Sequence, residues 1–188
     1  MAKFGVTKAY RYYADRFYMD RANRDVYLYR DSNGDLKLSG YKEIKVIRKS
    51  ADETVNNSAA MQNDDELVLP VVASEVWYFE LFVLFRSSTG ADIKFGFSVP
   101  SGATMKWHSQ ALWYGVGVGS TPGTPNEATD SYARGGAGAT TTTGFMIWGI
   151  IVVSTTAGNV NLQWAQNTAE SSDTKVLANS CLRATKLA

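Results

Sequence analysis

Three acids in a row, Asp64-Asp65-Glu66, stand directly before the apolar stretch LVLPVVASEVWYFELFVLF. With Asn63 they offer the carboxylate and amide oxygens that a divalent cation such as Ca²⁺ takes. The D-x-D-x-D-G spacing of a calcium loop is absent. The run therefore reads as a solubilising turn, whose charge also guards the strand after it against edge pairing. Whether Asp64, Asp65 and Glu66 bind a cation stays open at this level. Glycoside cleavage would need only two carboxylates, and Glu66, Glu75, Glu80 and Asp92 are available. Glu80 interrupts an apolar run and reads first as an edge or interface charge paired with Arg86 or Lys94. His108 is the single histidine and Cys181 the single cysteine. One histidine without a G-x-S-x-G pattern does not build a serine or cysteine hydrolase. His108 is expected as an incidental surface or interface residue, and Cys181 as a small buried apolar one. GVGVGS (115–120) lacks the Lys-Ser/Thr of a phosphate loop. Asn56-Asn57-Ser58 matches a glycosylation sequon, a motif common by chance. No catalytic, metal-ligating or cofactor-binding residue is assigned, no cofactor is expected, and the chain reads as non-enzymatic.

Binding chemistry is concentrated elsewhere. The first 50 residues hold 12 Lys/Arg against 6 Asp/Glu, a net of +6, and residues 51–188 carry a net of −5. Seven of the ten tyrosines lie in the first 50 residues, and all five tryptophans lie after residue 70. Tyr and Arg interleaved in this way are enriched in protein–protein contacts. They can also stack on bases and hold phosphates, but the admixed acids argue against a nucleic-acid arm. Tyr10, Arg11, Tyr12, Tyr13, Arg16, Phe17, Tyr18, Tyr27 and Tyr29 are the expected partner-binding residues. Trp107, Trp113 and Tyr114, beside a long Gly/Thr stretch, are a second candidate set whose faces could stack on sugars. The alternative places these aromatics in the core or on an oligomer axis. The overall charge of +1 gives no general attraction to nucleic acid or membrane. The N-terminus has no apolar signal region, and the nine residues of FMIWGIIVV (145–153) are too few for a bilayer helix, which needs about 20. A soluble protein is expected.

These residues need elements to position them. Thr7 to Met19 reads as a short helix. VYLYR, DSNGD and LKLSG read as a hairpin turning at Asn33-Gly34. KEIKVIRK reads as a half-exposed strand. The composition shift predicts an N-terminal arm or subdomain over 1–49, a linker or long loop over 50–66, and a main domain over 67–188. That domain reads as all-β: ELVLPVV stopped by Pro70, a ten-residue core strand from Val76 to Phe85, and a second long strand over 144–156. Large apolar residues at both parities predict that both long strands are covered on both faces. ADIKFGFSVP and NVNLQWAQNT alternate, with Ile93, Phe95 and Phe97, and Val160, Leu162 and Trp164, turned inward. TKVLANSCLRATKL breaks in the middle at Ala-Asn-Ser. Residues 115–144 read as a long surface loop. Turns every 10 to 15 residues, without a long helical period, predict an antiparallel β-sandwich of jelly-roll type.

The D-E-T-V-N-N-S stretch, the Asp-Asp-Glu-Leu opening, the F-x-F-x-x-P-x-G turn and the Q-W-A-Q-N strand resemble small virion structural proteins of tailed bacteriophages. The resemblance covers about residues 48 to 188. It implies a capsid decoration (cement) protein on the capsid surface, bound to the major capsid protein or another virion protein. The alternative it carries is a head- or tail-fibre module that recognises host glycans. It also implies a homotrimer, and brings no catalytic residues. On this reading residues 1–47 attach the protein to the shell and can be removed without unfolding the sandwich.

Overall fold

Alternation of large apolar side chains sets the register of the longest strands, and all of the described pairing is antiparallel. The computed structural model describes residues 43–111 and 125–188, together with three short strands nearer the N-terminus. The chain divides into two units, Met1–Glu43 and Ile44–Ala188.

In the first unit, β1 (Arg16–Tyr18), β2 (Tyr27–Arg30) and β3 (Leu36–Ser39) form a three-stranded sheet in that order. The expected pairing of Tyr27–Arg30 with Leu36–Ser39 is present; its turn, 31–35, lies outside the described residues. The helix expected over Thr7 to Met19 is corrected at Arg16–Tyr18, which is extended and pairs with Tyr27–Tyr29. Aromatic residues favour a pleated, paired surface. The remainder of that expected helix lies outside the described residues.

The second unit is a two-layer β-sandwich. Its strands are β4 (Ile44–Arg48), β5 (Glu53–Val55), β6 (Gln62–Val71), β7 (Val76–Ser87), β8 (Ile93–Ser98), β9 (Thr104–Ala111), β10 (Asn126–Glu127), β11 (Ser131–Arg134), β12 (Gly138–Val152), β13 (Gly158–Gln166), β14 (Thr174–Val176) and β15 (Cys181–Lys186). The larger sheet runs β10-β9-β12-β7. The far edge of β7 is shared: β15 then β4 along its first half, β14 then β5 along its second. The smaller sheet runs β11-β8-β13-β6. Between them, Trp77, Phe79, Leu81, Val83 and Phe85 of β7 meet Ile93, Phe95 and Phe97 of β8 and Val160, Leu162 and Trp164 of β13. Aromatic contacts stitch the layers: Phe95 stacks on Phe145 at 4.3 Å, and Phe97 lies edge-on to Phe79 (5.3 Å) and to Trp107 (5.5 Å). Each such side chain stabilises the fold by roughly 1.5–3 kcal/mol through burial.

Several expectations change. β4, expected with the N-terminal segment, pairs with β15 inside the main sheet. The linker expected over 50–66 contains β5 and the start of β6. Pro70 does not stop β6; it sits within the strand, at the sheet edge, where a missing N–H costs no ladder bond. The loop expected over 115–144 contains β10, β11 and the first residues of β12, whose threonines suit a strand; 112–124 lie outside the described residues. β7 and β12 are buried on one face only, and their other faces are half-exposed or exposed. The break near Ala178-Asn179-Ser180 is as expected, with Asn179 at φ +70°.

Gly149 has a close-approach role at the centre of the large sheet. A Cβ there would lie 2.4 Å from the carbonyl oxygen of Lys106 and 2.9 Å from Phe79 and Trp107. The first neighbour is backbone, so the strands themselves would have to part. Gly149→Ala is expected to cost about 1–3 kcal/mol, the usual cost of overpacking. A urea midpoint equal to that of the native chain would contradict this.

Candidate interaction surface

The acidic run that opens β6 proves to be structural. Opposite Leu162 of β13, β6 inserts four residues, 64 to 67, between the pairs Asn63–Gln163 and Val68–Asn161. Asp64 closes this bulge. Its Oδ1 accepts the backbone N–H of Glu66 (3.0 Å) and Leu67 (2.8 Å). The same oxygen accepts from Lys49 Nζ at 2.9 Å, and Lys49 also donates to Glu53 Oε2 at 2.7 Å. Lys49 and Asp64 are each only 1% exposed. Burial works to lower the Lys49 pKa, but the hydrogen bonds and charges of Glu53 and Asp64 outweigh it and hold the ammonium above its ordinary value. Glu66 accepts the N–H groups of Ser50 (2.8 Å) and Ala51 (3.2 Å). Those bonds, set against slight desolvation, lower its pKa. The expected solubilising turn is thus corrected to a buried latch that ties 49–53 to the bulge. The cation these carboxylates hold is an internal lysine. Among the described residues no group of three or more His, Cys, Asp or Glu is placed to hold a metal ion.

The other carboxylates are also engaged. Glu75 joins Trp77 Nε1–H (2.9 Å), Lys186 Nζ (2.6 Å) and the N–H of Val72 (2.7 Å). Asp92 Oδ1 accepts from Gly136 N–H at 2.8 Å. Glu80 pairs with neither Arg86 nor Lys94. It accepts from the Tyr78 hydroxyl at 2.9 Å and faces Arg183 Nη1 at 3.8 Å. Lys94 stands on the other sheet, and the strand beside Glu80 is β15, which only the tertiary pairing brings there.

The outward face of the large sheet is the principal exposed apolar feature among the described residues. Strand register arranges it in rows across β4, β15, β7, β12 and β9. One row reads Arg48, Cys181, Phe82, Met146, Gln110. The middle row reads Val46, Arg183, Glu80, Trp148, His108. The third reads Ile44, Thr185, Tyr78, Ile150, Lys106. Val46 is 70% exposed, Ile44 52% and Ile150 44%. Phe82, Met146 and Val152 are exposed as well. Cys181 is half-buried on this face, not in the core as expected. His108 lies 6.2 Å from the Trp148 ring, also on this face. Sequence reasoning expected the second face of β7 and β12 to be covered, and read only Ile44 and Val46 on a half-exposed strand. The signal that could have found the open face is the parity of β9, where Lys106, His108 and Gln110 alternate with buried Met105, Trp107 and Ser109.

Of the expected partner-binding residues, Arg16, Phe17, Tyr18, Tyr27 and Tyr29 fall on β1 and β2. Register pairs Arg16 with Tyr29 and Tyr18 with Tyr27, so these four share one face of the small sheet, with Lys37 and Ser39 of β3 at the matching positions. Phe17 pairs with Leu28 and falls on the other face. Tyr10, Arg11, Tyr12 and Tyr13 lie outside the described residues. Of the sugar-stacking candidates, Trp107 is corrected. It is 1% exposed, packs on Phe95 and Phe97, and donates Nε1–H to the carbonyl of Glu127 at 2.8 Å. Trp113 and Tyr114 lie outside the described residues.

No family model matches the chain, and no curated protein matches it. Among solved structures it is similar to that of infectious bursal disease virus Gt strain, at 9% identity and a TM-score of 0.23. That alignment covers 85% of this chain and 47% of the other. It is also similar to a mutant VP2 protein of the same virus in derived T=1 particles, at 10% identity and a TM-score of 0.23, over 83% of this chain and 42% of the other. A VP2 subviral particle of that virus matches at 10% identity and a TM-score of 0.21, over 84% and 45%. The chain spans less than half the length of each. Likeness this loose carries no argument about function.

Proposed function

We propose that this chain is a non-enzymatic structural protein of a tailed-bacteriophage virion, a decoration protein on the capsid surface, attached to the capsid lattice through its N-terminal unit. The observation that carries the reading is the juxtaposition on β1 and β2. Arg16, Tyr18, Tyr27 and Tyr29 share one face of a small sheet in a unit separate from the sandwich. Arg and Tyr, residue types enriched among the hot spots of protein interfaces, thereby fall at matching register positions of two paired strands. The sandwich supplies a rigid body held by a continuous core. The sequence resemblance supplies the virion context and suggests three copies.

The test is co-sedimentation with capsids of the parent phage that lack this protein. Because β4 belongs to the main sheet and Lys49 to its latch, the cut belongs after residue 42, not 47. Protein lacking residues 1–42 is expected to keep its near-ultraviolet dichroism and lose capsid binding. Retained binding would sink the reading. The rival, a glycan-binding fibre module, loses one of its three aromatics to the core. Selective binding on a glycan array, with none to capsids, would favour it instead.

A further inference from the structure

We propose that the outward face of the large sheet is a two-fold contact between copies of this chain, with Arg183 of each copy set against Glu80 of the other. This goes beyond the attachment reading, which concerns the N-terminal unit, and replaces the three-fold arrangement that the resemblance suggests.

The argument starts from the rows. Place a two-fold axis parallel to the strands, midway between β15 and β7, and lay the face on its own copy. Each position on β15 then meets its row partner on β7, and each on β4 meets its row partner on β12. In the middle row Arg183 meets Glu80 twice, and Val46 meets Trp148 twice. In the rows beside it Ile44 meets Ile150, Cys181 meets Phe82, and Thr185 meets Tyr78. Ile44, Val46 and Cys181 fall on apolar partners, the two central charges fall on opposite charges, and Arg48 falls on Met146. An isologous contact requires that kind of self-complementarity. Strands of the two copies run aligned, as in face-to-face sheet packing.

The charge pair is also poised for this use. Within one copy Arg183 and Glu80 stand 3.8 Å apart and both side chains remain well exposed, 58% and 38%. Such an exposed pair contributes little to the stability of its own chain. The four strands that the two-fold matches, at about 4.8 Å spacing, and the five residues of β4, at about 3.3 Å each, give a contact of roughly 300 Å² in plan on each copy, the scale of a weak, concentration-dependent association.

The experiment uses the full-length chain. Light scattering across a concentration series is expected to give twice the protomer mass. Alkylation of Cys181, the chain's only cysteine, should slow as the dimer forms. Glu80→Arg and Arg183→Glu are each expected to weaken association about ten-fold or more, because each places like charges opposite one another. Mixing the two variants should restore association, which a pair acting only within one chain cannot do. Ile150→Lys should give a folded monomer. A monomeric native chain would overturn the proposal, whether the face is open or covered by residues 1–42. So would a trimer, or a dimer indifferent to these substitutions. Capsid binding by a monomeric variant would leave the attachment reading intact, and loss of capsid binding by a normal dimer would sink that reading alone.

Discussion

Lys49→Met is expected to lower stability by about 3–5 kcal/mol, the range found when one member of a buried ion pair is removed. Asp64 stays in place, 1% exposed, with its charge no longer matched. Its Oδ1 keeps the N–H groups of Glu66 and Leu67, but its Oδ2 has no hydrogen-bond partner among the described residues. Glu53 is nearer water and suffers less. Adding Asp64→Asn should recover part of the loss, since the amide oxygen still closes the bulge and no unpaired charge remains. The pH dependence carries a sign. The Lys49 pKa is raised in the folded chain by Glu53 and Asp64, against the opposing effect of burial. Its contribution is therefore complete below the ordinary lysine value of about 10.4 and is lost as pH rises through the higher folded value. Urea midpoints of the native chain should fall at strongly alkaline pH more steeply than those of Lys49→Met. A variant within about 1 kcal/mol of the native chain, the worth of an exposed pair, would show that the latch carries no buried charge.

Trp107→Ala is expected to cost about 3–5 kcal/mol, as for other buried large aromatics. The side chain reaches from β9 across to β8 of the other sheet. It touches Phe95 and Phe97, and its indole N–H closes on the carbonyl of Glu127, fixing β10 against β9. Removing it opens a cavity and leaves that carbonyl without its indole donor. Trp107→Phe should lose less, because most of the contact area survives without the hydrogen bond. A Trp107→Ala protein with native thermal stability but altered ligand binding would restore the sugar-stacking role that burial argues against.

The sequence alone determined the fold class, because strand period is a local property. Alternating Ile93, Phe95 and Phe97, and alternating Val160, Leu162 and Trp164, face inward in any sheet that has one core face. The pairing of β2 with β3, and the break between β14 and β15, were legible for the same reason: turn chemistry acts over a few residues. What the tertiary structure decided was long-range. The acids at 64–66 look like a solvated turn until Lys49, 15 residues away, is packed against them. Burial then makes the pair structural, since a charge without water must find an opposite charge. The apolar residues of β7 and β12 outnumber one face of a sheet, and sequence cannot say whether a second layer of the same chain covers the surplus. The sandwich places its smaller sheet on one side only, so Phe82, Met146 and Ile150 remain outside. Which strand neighbours Glu80 is likewise a matter of topology: β15 returns from the C-terminus to bring Arg183 beside it. Period is written in neighbouring residues, whereas pairing partners and the uncovered face follow from how distant strands minimise exposed surface together.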